Sequence, residues 1–364
     1  MTKYNEITLL ENIRNYLPVY YQNQSHSIWH KLPVSRRSAV FVLLFLGNLG
    51  ELRVILTKRS SKLRSFPGHI SLPGGKADSS QEDEWTVSRR EMHEEIGLSS
   101  NNSELLAKHG FQIDHLNVLP SYLSRTFSAV RPCIGFMNFQ QHNDLIKHLN
   151  LQLNPGESSS IFSCPLRDFL YPIVDETPLE SLERVSYKVK WGGIPWDLRS
   201  YTFLQNSEHE VEWLKDIKDL SCSEEESELD LRLGDELDSI DKGRVTPPNI
   251  IPKVSKKKNL QKWGRLGARK DEMTQERIYD VWGLTANILH DLAEIVYLGG
   301  TERHIGSEEM IYGIHEFGNQ MKERKRSDEE IKLIHATHTE ETGFGFNSLL
   351  PDGEFNRLKT IYKF

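Results

Sequence analysis

The order of apolar and polar positions predicts a chain in which strands and helices alternate. The apolar run from Ser38 to Leu46 is typical of a buried strand, a turn sequence follows at 47–50, and Leu52 to Thr57 predicts its partner strand. Residues 104–140 supply further strands, including Ala129 to Phe139. Strands and helices in this mixed order predict an α/β fold, with an α/β/α sandwich around a mixed sheet.

The two ends of the chain carry different patterns. Within 1–34, apolar residues recur at near-helical spacing, at Ile7, Leu9, Leu10, Ile13 and Leu17. We expect this segment to form a helical lead-in of one or two helices. Residues 300–364 show no pattern that indicates a function, and we expect an accessory extension there.

The stretch 205–275 combines low hydrophobicity with segregated charge. Its first part is acidic and its second part is basic, with Pro247, Pro248 and Pro252 between them. This composition favours a disordered or loosely folded insertion. A solvated loop without a role is the simplest interpretation, and the basic run alternatively resembles a nuclear signal or a contact with an anionic surface.

Composition narrows the class of protein. A length of 364 residues allows one large domain or two ordinary ones, and a formal net charge of −7 makes no strong case for a nucleic-acid partner. The three cysteines form no CxxC pair, which favours a reducing compartment and argues against structural zinc. The longest apolar run, Ala39 to Leu46, is too short to span a bilayer, and the N-terminus lacks the apolar region of a secretory signal. The oligomeric state is not readable from these patterns.

Candidate chemistry is concentrated in an acidic segment. If residues from about 82 to 96 are helical, Glu91, Glu94 and Glu95 are related by i, i+3 and i+4 and share one face. Like charges at this spacing repel, so a helix that only packs or faces solvent would intersperse lysines. A divalent cation among bunched carboxylates makes them favourable, and hard oxygen ligands suit Mg²⁺ or Mn²⁺.

Glycines frame this acidic segment. Gly74 and Gly75 precede it and permit close approach of the backbone to a ligand, while Gly97 fits the position of a helix C-cap. An acidic helix face is usually just solvated. The combination with the glycine lead-in and the glycine stop favours a metal site instead.

The segment resembles the signature of the Nudix hydrolase family. That motif runs glycine, five residues, glutamate, seven residues, Arg-Glu, an aliphatic residue, any residue, Glu-Glu, any residue, Gly and an aliphatic residue. Residues Arg90 to Leu98 match its second half at every fixed position, and Glu82 has the correct distance to Arg90, whereas Gly75 lies one residue too far upstream. The resemblance implies a Nudix-type α/β/α sandwich, formed by residues 35–204 with its C-terminal helix at 276–299.

The extra residue and the sequence upstream resemble the branch of the family that hydrolyses coenzyme A. That branch carries a motif of roughly Leu-Thr-x-Arg-Ser, Leu-Arg, Gly and Phe-Pro-Gly-Gly, and this chain has Leu56-Thr57-Lys58-Arg59-Ser60, Leu63-Arg64, Pro67-Gly68 and Leu72-Pro73-Gly74-Gly75. Because guanidinium groups grip phosphates in a bidentate way, Arg59 and Arg64 are expected to bind substrate beside Gly74 and Gly75. The alternative is that both arginines are ordinary surface cations. His69 is interpreted as a structural residue and left out of the site.

Two segments downstream extend the resemblance. Glu157, in Asn154-Pro155-Gly156-Glu157, is expected either to complete the metal shell or orient the attacking water, or to be a surface acid of a turn. Residues 279–289 resemble the C-terminal helix of the same branch, in which Trp282 and Leu284 are interpreted as core.

The resemblance implies metal-dependent hydrolysis of the diphosphate bond of coenzyme A or its derivatives, a small-molecule substrate, to adenosine 3′,5′-bisphosphate and 4′-phosphopantetheine. Glu91 and Glu95 are the expected principal metal ligands, and Glu94 is a further ligand or a base. Arg90 is expected to pair with Glu82 or a neighbour and to hold the loop against the helix. One alternative is a broader hydrolase of ADP-ribose, NADH or a damaged nucleotide, which shares every metal residue. Another is a non-catalytic Nudix-like scaffold, against which the intact acidic set argues.

The expected compartment follows from the same branch, whose enzymes are often peroxisomal. The terminal Tyr362-Lys363-Phe364 is a poor match to a Ser-Lys-Leu address, so the cytosol and the mitochondrion stay open. Free, acylated and oxidised coenzyme A share the same diphosphate, and the sequence does not rank them.

Overall fold

The fold is described from a computed structural model, which covers residues 5–63, 65–139, 149, 151–215, 217, 220, 268–270 (backbone only), 276–300, 304–336 and 343–362. The helices within these ranges are α1 (Glu6–Asn15), α2 (Glu84–Ile96), α3 (Asn102–His109), α4 (Glu212–Lys215), α5 (Gly283–Leu298), α6 (Glu308–Glu316), α7 (Asp328–His335) and α8 (Asp352–Ile361). The strands are β1 (Arg37–Leu46), β2 (Leu52–Arg59), β3 (Ile70–Ser71), β4 (Gly74–Lys76), β5 (Phe111–Val118), β6 (Tyr122–Leu123), β7 (Ala129–Phe139), β8 (Ser158–Pro165), β9 (Glu183–Trp191), β10 (Ile194–Leu204), β11 (Ala268–Lys270) and β12 (Arg277–Trp282).

The main sheet is mixed, which confirms the predicted fold class. Its central order is β3-β2-β1-β7-β5, with β8 paired to β2, β4 to β1 and β6 to β7. Strands β1 and β7 run parallel, whereas β2 pairs with β1 in antiparallel register from Leu44 opposite Val54 to Leu46 opposite Leu52. The pairing of β4 with β1 brings Gly75 opposite Ala39. The glycine segment is therefore part of the sheet.

Side chains that alternate along β1 pack on both faces of the main sheet. Phe41 and Phe45 point toward the layer of α2, where they pack with Met92 and Ile96. Val42 and Leu44 point to the opposite face, in a cluster with buried residues of α1 and α5. One helical layer thus covers each face of the sheet, as in the predicted α/β/α sandwich.

A second sheet and the C-terminal helices lie beside this core. The strand order of the second sheet is β11-β12-β10-β9, and its pairings are antiparallel. Buried residues of α6, α7 and α8 form a cluster with Leu123, Phe127 and Trp191. The described part of 300–364 is thus packed on the domain, and the division of the chain at residue 299 stays a prediction.

Two predicted segments require correction. Residues 277–282, predicted as part of a helix, form strand β12 opposite β10, and the helix begins at Gly283. Residues 205–215, predicted as the start of the disordered insertion, pack on the core, since Trp213 is buried against Phe45 with ring centroids 5.1 Å apart. The second prediction was wrong because this segment contains apolar residues among its acidic ones, and Val211, Trp213 and Leu214 are buried. Most of 216–275 lies outside the described residues.

The predicted helical lead-in is helical at α1, where Leu9, Leu10 and Ile13 are buried. Short 3₁₀ turns follow at Tyr21–Asn23, Ile28–Lys31 and Val34–Arg36. Within the described ranges, none of the helices has both the length and the apolar character needed to cross a membrane.

Candidate active site

Helix α2 is fixed at both ends by its own sequence. The Asp83 carboxylate accepts a hydrogen bond from Thr86 N at 2.8 Å, which caps the N-terminus. The helix ends at Gly97, whose φ of 73° is the left-handed conformation that glycine adopts without a Cβ penalty. Because Met92 and Ile96 are fully buried in the sandwich, the orientation of the helix is fixed, and Glu91 and Glu95 are held toward the glycine strand β4.

Glu95 is the innermost of the three acids. Only 6% of its surface is exposed, and Oε1 accepts a hydrogen bond from Gly74 N at 3.4 Å. Its Oε2 is buried and has no hydrogen-bond partner among the described residues. Burial, reinforced by the nearby charges of Glu91 and Glu157, raises the pKa of Glu95 to about 8, against the opposing effects of Gly74 N–H and Arg59.

The two glycines of β4 make room for this arrangement. A Cβ on Gly75 would lie 2.3 Å from the carboxyl carbon of Glu91, so Glu91 lies directly against the glycine backbone. A Cβ on Gly74 would instead lie 2.4 Å from the backbone oxygen of Ala39 on β1. The missing Cβ of Gly75 therefore leaves room for the Glu91 side chain, whereas that of Gly74 leaves room for the backbone of the neighbouring strand β1.

Arg90 connects the acidic helix to the loop before it. Its Nε donates to Glu82 Oε1 at 3.0 Å and its Nη2 donates to Lys76 O at 2.9 Å. The expected pairing of Arg90 with Glu82 is therefore confirmed. The same guanidinium contacts Glu91 Oε1 at 3.1 Å and Glu94 Oε2 at 3.3 Å. Burial raises the pKa of Glu91 although Arg90 opposes it, and the Glu94 side chain is about half exposed.

Glu82 organises the loop from the other side. Its Oε2 accepts hydrogen bonds from Asp78 N at 2.6 Å and Ser79 N at 3.3 Å. Partial burial opposes ionisation, but these backbone donors and Arg90 together lower the pKa of Glu82. The conformation of residues 76–82 thus depends on an ionised Glu82.

The loop that carries Glu157 is tied to both the helix and strand β2. Asn154 N donates to Glu95 O at 3.1 Å, and Ser60 N donates to Glu157 O at 2.9 Å. Glu157 Oε2 is buried without a hydrogen-bond partner in the described structure, as is Arg59 Nε. Residues far apart in sequence therefore meet around Glu95, with Arg59 at the end of β2 on one side and Glu157 on another.

The donor set fits a hard divalent cation, although the carboxylates do not yet converge on one point. Within the described part of the chain, no group of three or more His, Cys, Asp or Glu side chains is arranged to hold a metal ion. Arg90 explains part of this lack of convergence, because its guanidinium contacts Glu91 and Glu94. A bound cation would replace the guanidinium as the partner of these two carboxylates. The buried, unpartnered oxygens of Glu95 and Glu157 and the raised pKa of Glu95 are the features that a cation would compensate.

Of the predicted site residues, Glu91, Glu95, Glu157, Gly74 and Gly75 lie together with Arg59. Glu94 lies at the exposed margin, and Arg64 lies outside the described residues. Three aromatic rings also meet beside Arg59. Two of them, His69 and Trp282, were interpreted as structural and core residues, and the third, Phe66, was not considered. Phe66 stands between Arg64 and Pro67 in the stretch that the upstream motif spans, so an aromatic residue at this place was the available signal.

Comparison with known proteins identifies the class to which this site belongs. The family model described as NUDIX domain matches residues 35–176. The peroxisomal coenzyme A diphosphatase 1 of Saccharomyces cerevisiae is 38% identical over 346 residues, which cover 90% of this chain and 88% of that relative. The chain therefore belongs to the Nudix hydrolase family, and the predicted family is confirmed.

Within the family, the chain lies in the branch that contains the coenzyme A diphosphatases. The peroxisomal coenzyme A diphosphatase NUDT7 of Mus musculus is 33% identical over 140 residues, covering 38% of this chain and 51% of that protein. Nudix hydrolase 15, mitochondrial, of Arabidopsis thaliana is 39% identical over 135 residues, covering 37% of this chain and 42% of that protein. The chain thus spans about half or less of these two relatives.

Proposed function

We propose that this Nudix hydrolase cleaves the diphosphate bond of coenzyme A or its derivatives, with release of adenosine 3′,5′-bisphosphate and 4′-phosphopantetheine. Similarity along nearly the whole length of a coenzyme A diphosphatase supports the substrate class. The observation that carries the proposal is the meeting of two motifs through the loop of Glu157. Ser60 N, directly after Arg59 in the upstream motif, donates to Glu157 O at 2.9 Å, and Asn154 N of the same loop donates to Glu95 O of the acidic helix at 3.1 Å.

The cation is proposed to be Mg²⁺ or Mn²⁺, since Nudix hydrolases generally need divalent metal ions and the side chains present offer hard oxygen ligands. Glu91 and Glu95 would hold it, with Glu94 at the exposed margin. When bound, it would neutralise phosphate charge and lower the pKa of a bound water.

The protein's own groups then position the diphosphate. Arg59 offers a guanidinium beside the acidic cluster, and its buried Nε is a donor that no described residue occupies. Such a donor is suited to a phosphate oxygen. Gly75 keeps the backbone close to Glu91, and Arg90 holds residues 76–82 against the helix. These contacts would place the bridging phosphorus in reach of the attacking water.

Removal of the water's proton needs a carboxylate with a free oxygen. Glu94 contacts Arg90, whereas Glu157 Oε2 is buried and unpartnered within the described residues. We therefore favour Glu157 as the group that orients the water and takes its proton, and Glu94 as an accessory ligand.

A product analysis tests the proposal. Purified protein with Mg²⁺, and separately with Mn²⁺, is incubated with coenzyme A, ADP-ribose and NADH, and the products are identified by mass spectrometry. Preferential release of adenosine 3′,5′-bisphosphate and 4′-phosphopantetheine is expected. Cleavage of ADP-ribose or NADH in preference would support the broader hydrolase, and no cleavage would favour the scaffold.

The compartment is a separate proposal. Of the three relatives described above, two carry the word peroxisomal in their names and one is named mitochondrial, so we propose the peroxisome, with the mitochondrion as the alternative. The untagged protein, detected with an antibody so that both termini stay free, should colocalise with a peroxisomal marker. Colocalisation with a mitochondrial marker would contradict the proposal.

A further inference from the structure

Three rings from two distant parts of the chain meet beside Arg59. The ring centroids of Phe66 and His69 are 5.4 Å apart, and those of His69 and Trp282 are also 5.4 Å apart. Phe66 and His69 belong to the loop between β2 and β3, whereas Trp282 ends β12. We call these three residues the aromatic cluster. Ile70, the residue after His69, accepts a hydrogen bond from Thr285 Oγ1 of α5 at 3.4 Å.

Phe66 is unusual in both exposure and backbone conformation. Its side chain is 45% exposed, and its φ is +52°, a left-handed conformation that is a genuine outlier for a bulky residue. Outliers of this kind persist only where the surroundings enforce them, and they concentrate at functional sites. Here the loop is held by Arg59 N donating to His69 O at 2.9 Å and by Gly68 N donating to Arg59 O at 3.1 Å.

A further hydrogen bond from Arg59 fixes the position of the Phe66 ring relative to the proposed phosphate-binding side of the site. Arg59 Nη2 donates to Ser65 O at 3.3 Å, and Ser65 immediately precedes Phe66. The residue after Arg59, Ser60, donates from its backbone N to Glu157 O at 2.9 Å, which joins this end of β2 to the site. A ligand whose diphosphate contacts Arg59 would therefore have the exposed face of Phe66 next along its length.

We propose that Phe66 is the platform on which the adenine ring of the substrate stacks, with His69 and Trp282 supporting the platform from behind. This inference rests on the proposed function. Of the two halves of coenzyme A, the adenosine half ends in a planar π-system that suits an aromatic face, whereas the pantetheine half is a flexible chain. Phe66 would thus select adenine-bearing diphosphates, and it is a specificity residue without a part in bond cleavage.

Binding of the two product halves separates this role from a merely structural one. Adenosine 3′,5′-bisphosphate and 4′-phosphopantetheine are each titrated calorimetrically into wild-type protein and Phe66→Ala, Phe66→Tyr and Phe317→Ala variants in the presence of Mg²⁺. Phe317 is a matched control because it is 43% exposed and lies on the C-terminal helices. Loss of one base–aromatic stack should weaken adenosine 3′,5′-bisphosphate binding about 5- to 150-fold in Phe66→Ala. Binding should be retained in Phe66→Tyr and Phe317→Ala, and 4′-phosphopantetheine should bind equally to all.

Other outcomes overturn the inference. If Phe66→Ala weakens 4′-phosphopantetheine instead, the ring contacts the other half of the substrate. If it weakens neither, the ring contacts no substrate. Coenzyme A cleavage by the wild type together with unchanged binding in Phe66→Ala would refute the stacking role alone. Absence of both cleavage and binding in the wild type would refute the proposed function itself.

Discussion

At the scale of single residues, Gly74 and Gly75 are adjacent but exclude a Cβ for different reasons. In Gly75→Ala the new methyl would meet the end of the flexible Glu91 side chain, so we expect a stably folded protein with strongly reduced turnover. In Gly74→Ala the methyl would meet the backbone of Ala39 and Val40, so we expect a loss of stability. Turnover and urea unfolding of both variants check this.

Gly353→Ala is the control for both glycine variants, because a Cβ added there would meet no neighbouring atom within 4 Å and the residue lies in helix α8. It should keep full turnover and wild-type stability or better. Full activity in Gly75→Ala would show that the contact between Gly75 and Glu91 is not required.

Glu95 is the residue for which loss of charge should separate activity from stability. Glu95→Gln keeps a similar shape and removes the cost of burying a carboxylate, so we expect unfolding at the wild-type temperature or above. Turnover should fall about 10²- to 10³-fold, the range found for other electrostatic catalytic groups. Coenzyme A hydrolysis and thermal unfolding are measured beside Glu104→Gln, an exposed glutamate on α3. Turnover near that of the control would remove Glu95 from the metal site.

The sequence predicts much of the site at this scale, because helical spacing alone places Glu91 and Glu95 on one face. It does not predict that Glu95 is buried and Glu94 exposed. That difference arises from β4 and from the loop of Glu157, which meet α2 through contacts distant in sequence. The contact between His69 and Trp282 likewise joins two parts of the chain that are distant in sequence.

At the scale of elements, strands of the main sheet were predictable because their apolar runs are continuous. Ala129–Phe139 has the predicted bounds, and β1 begins one residue before Ser38. Strand β12 was mistaken for helix because its short segment continues directly into α5. It pairs with β10, in a register that places Trp282 opposite Ser200, about 80 residues earlier in the chain. A local sequence pattern carries no information about such a distant partner.

Helix α2 offers the prediction at this scale, since it carries the acidic residues and begins at a single side-chain cap. Asp83→Ala removes the acceptor for Thr86 N and should lower the free energy of unfolding by about 1 kcal/mol. Asp83→Asn keeps the acceptor and should retain most of that stability. Urea unfolding of both proteins distinguishes them, and equal losses would show that the Asp83 hydrogen bond does not stabilise the helix.

At the scale of the whole molecule, the C-terminal helices are joined to the Nudix core by a buried ion pair. Arg36 Nη2 lies 2.7 Å from Glu330 Oε2, and the two side chains are 2% and 1% exposed. Arg36 also donates to Phe127 O and to Glu323 O, while Glu330 accepts from Met321 N. Separated by almost 300 residues, the pair was invisible to sequence patterns, which left 300–364 without a role.

Removal of one partner of this pair should destabilise the molecule as a whole. Glu330→Ala leaves the Arg36 guanidinium buried without its carboxylate, and the expected loss in free energy of unfolding is about 3–5 kcal/mol. Replacing both residues, in Arg36→Met with Glu330→Leu, should cost less than Glu330→Ala alone, because no uncompensated charge stays buried. Glu329→Ala alters the neighbouring exposed glutamate and should leave unfolding nearly unchanged. The free energy of unfolding is measured by urea denaturation of the wild type and these three variants. A Glu330→Ala variant as stable as Glu329→Ala would mean that the C-terminal helices are not held by this pair.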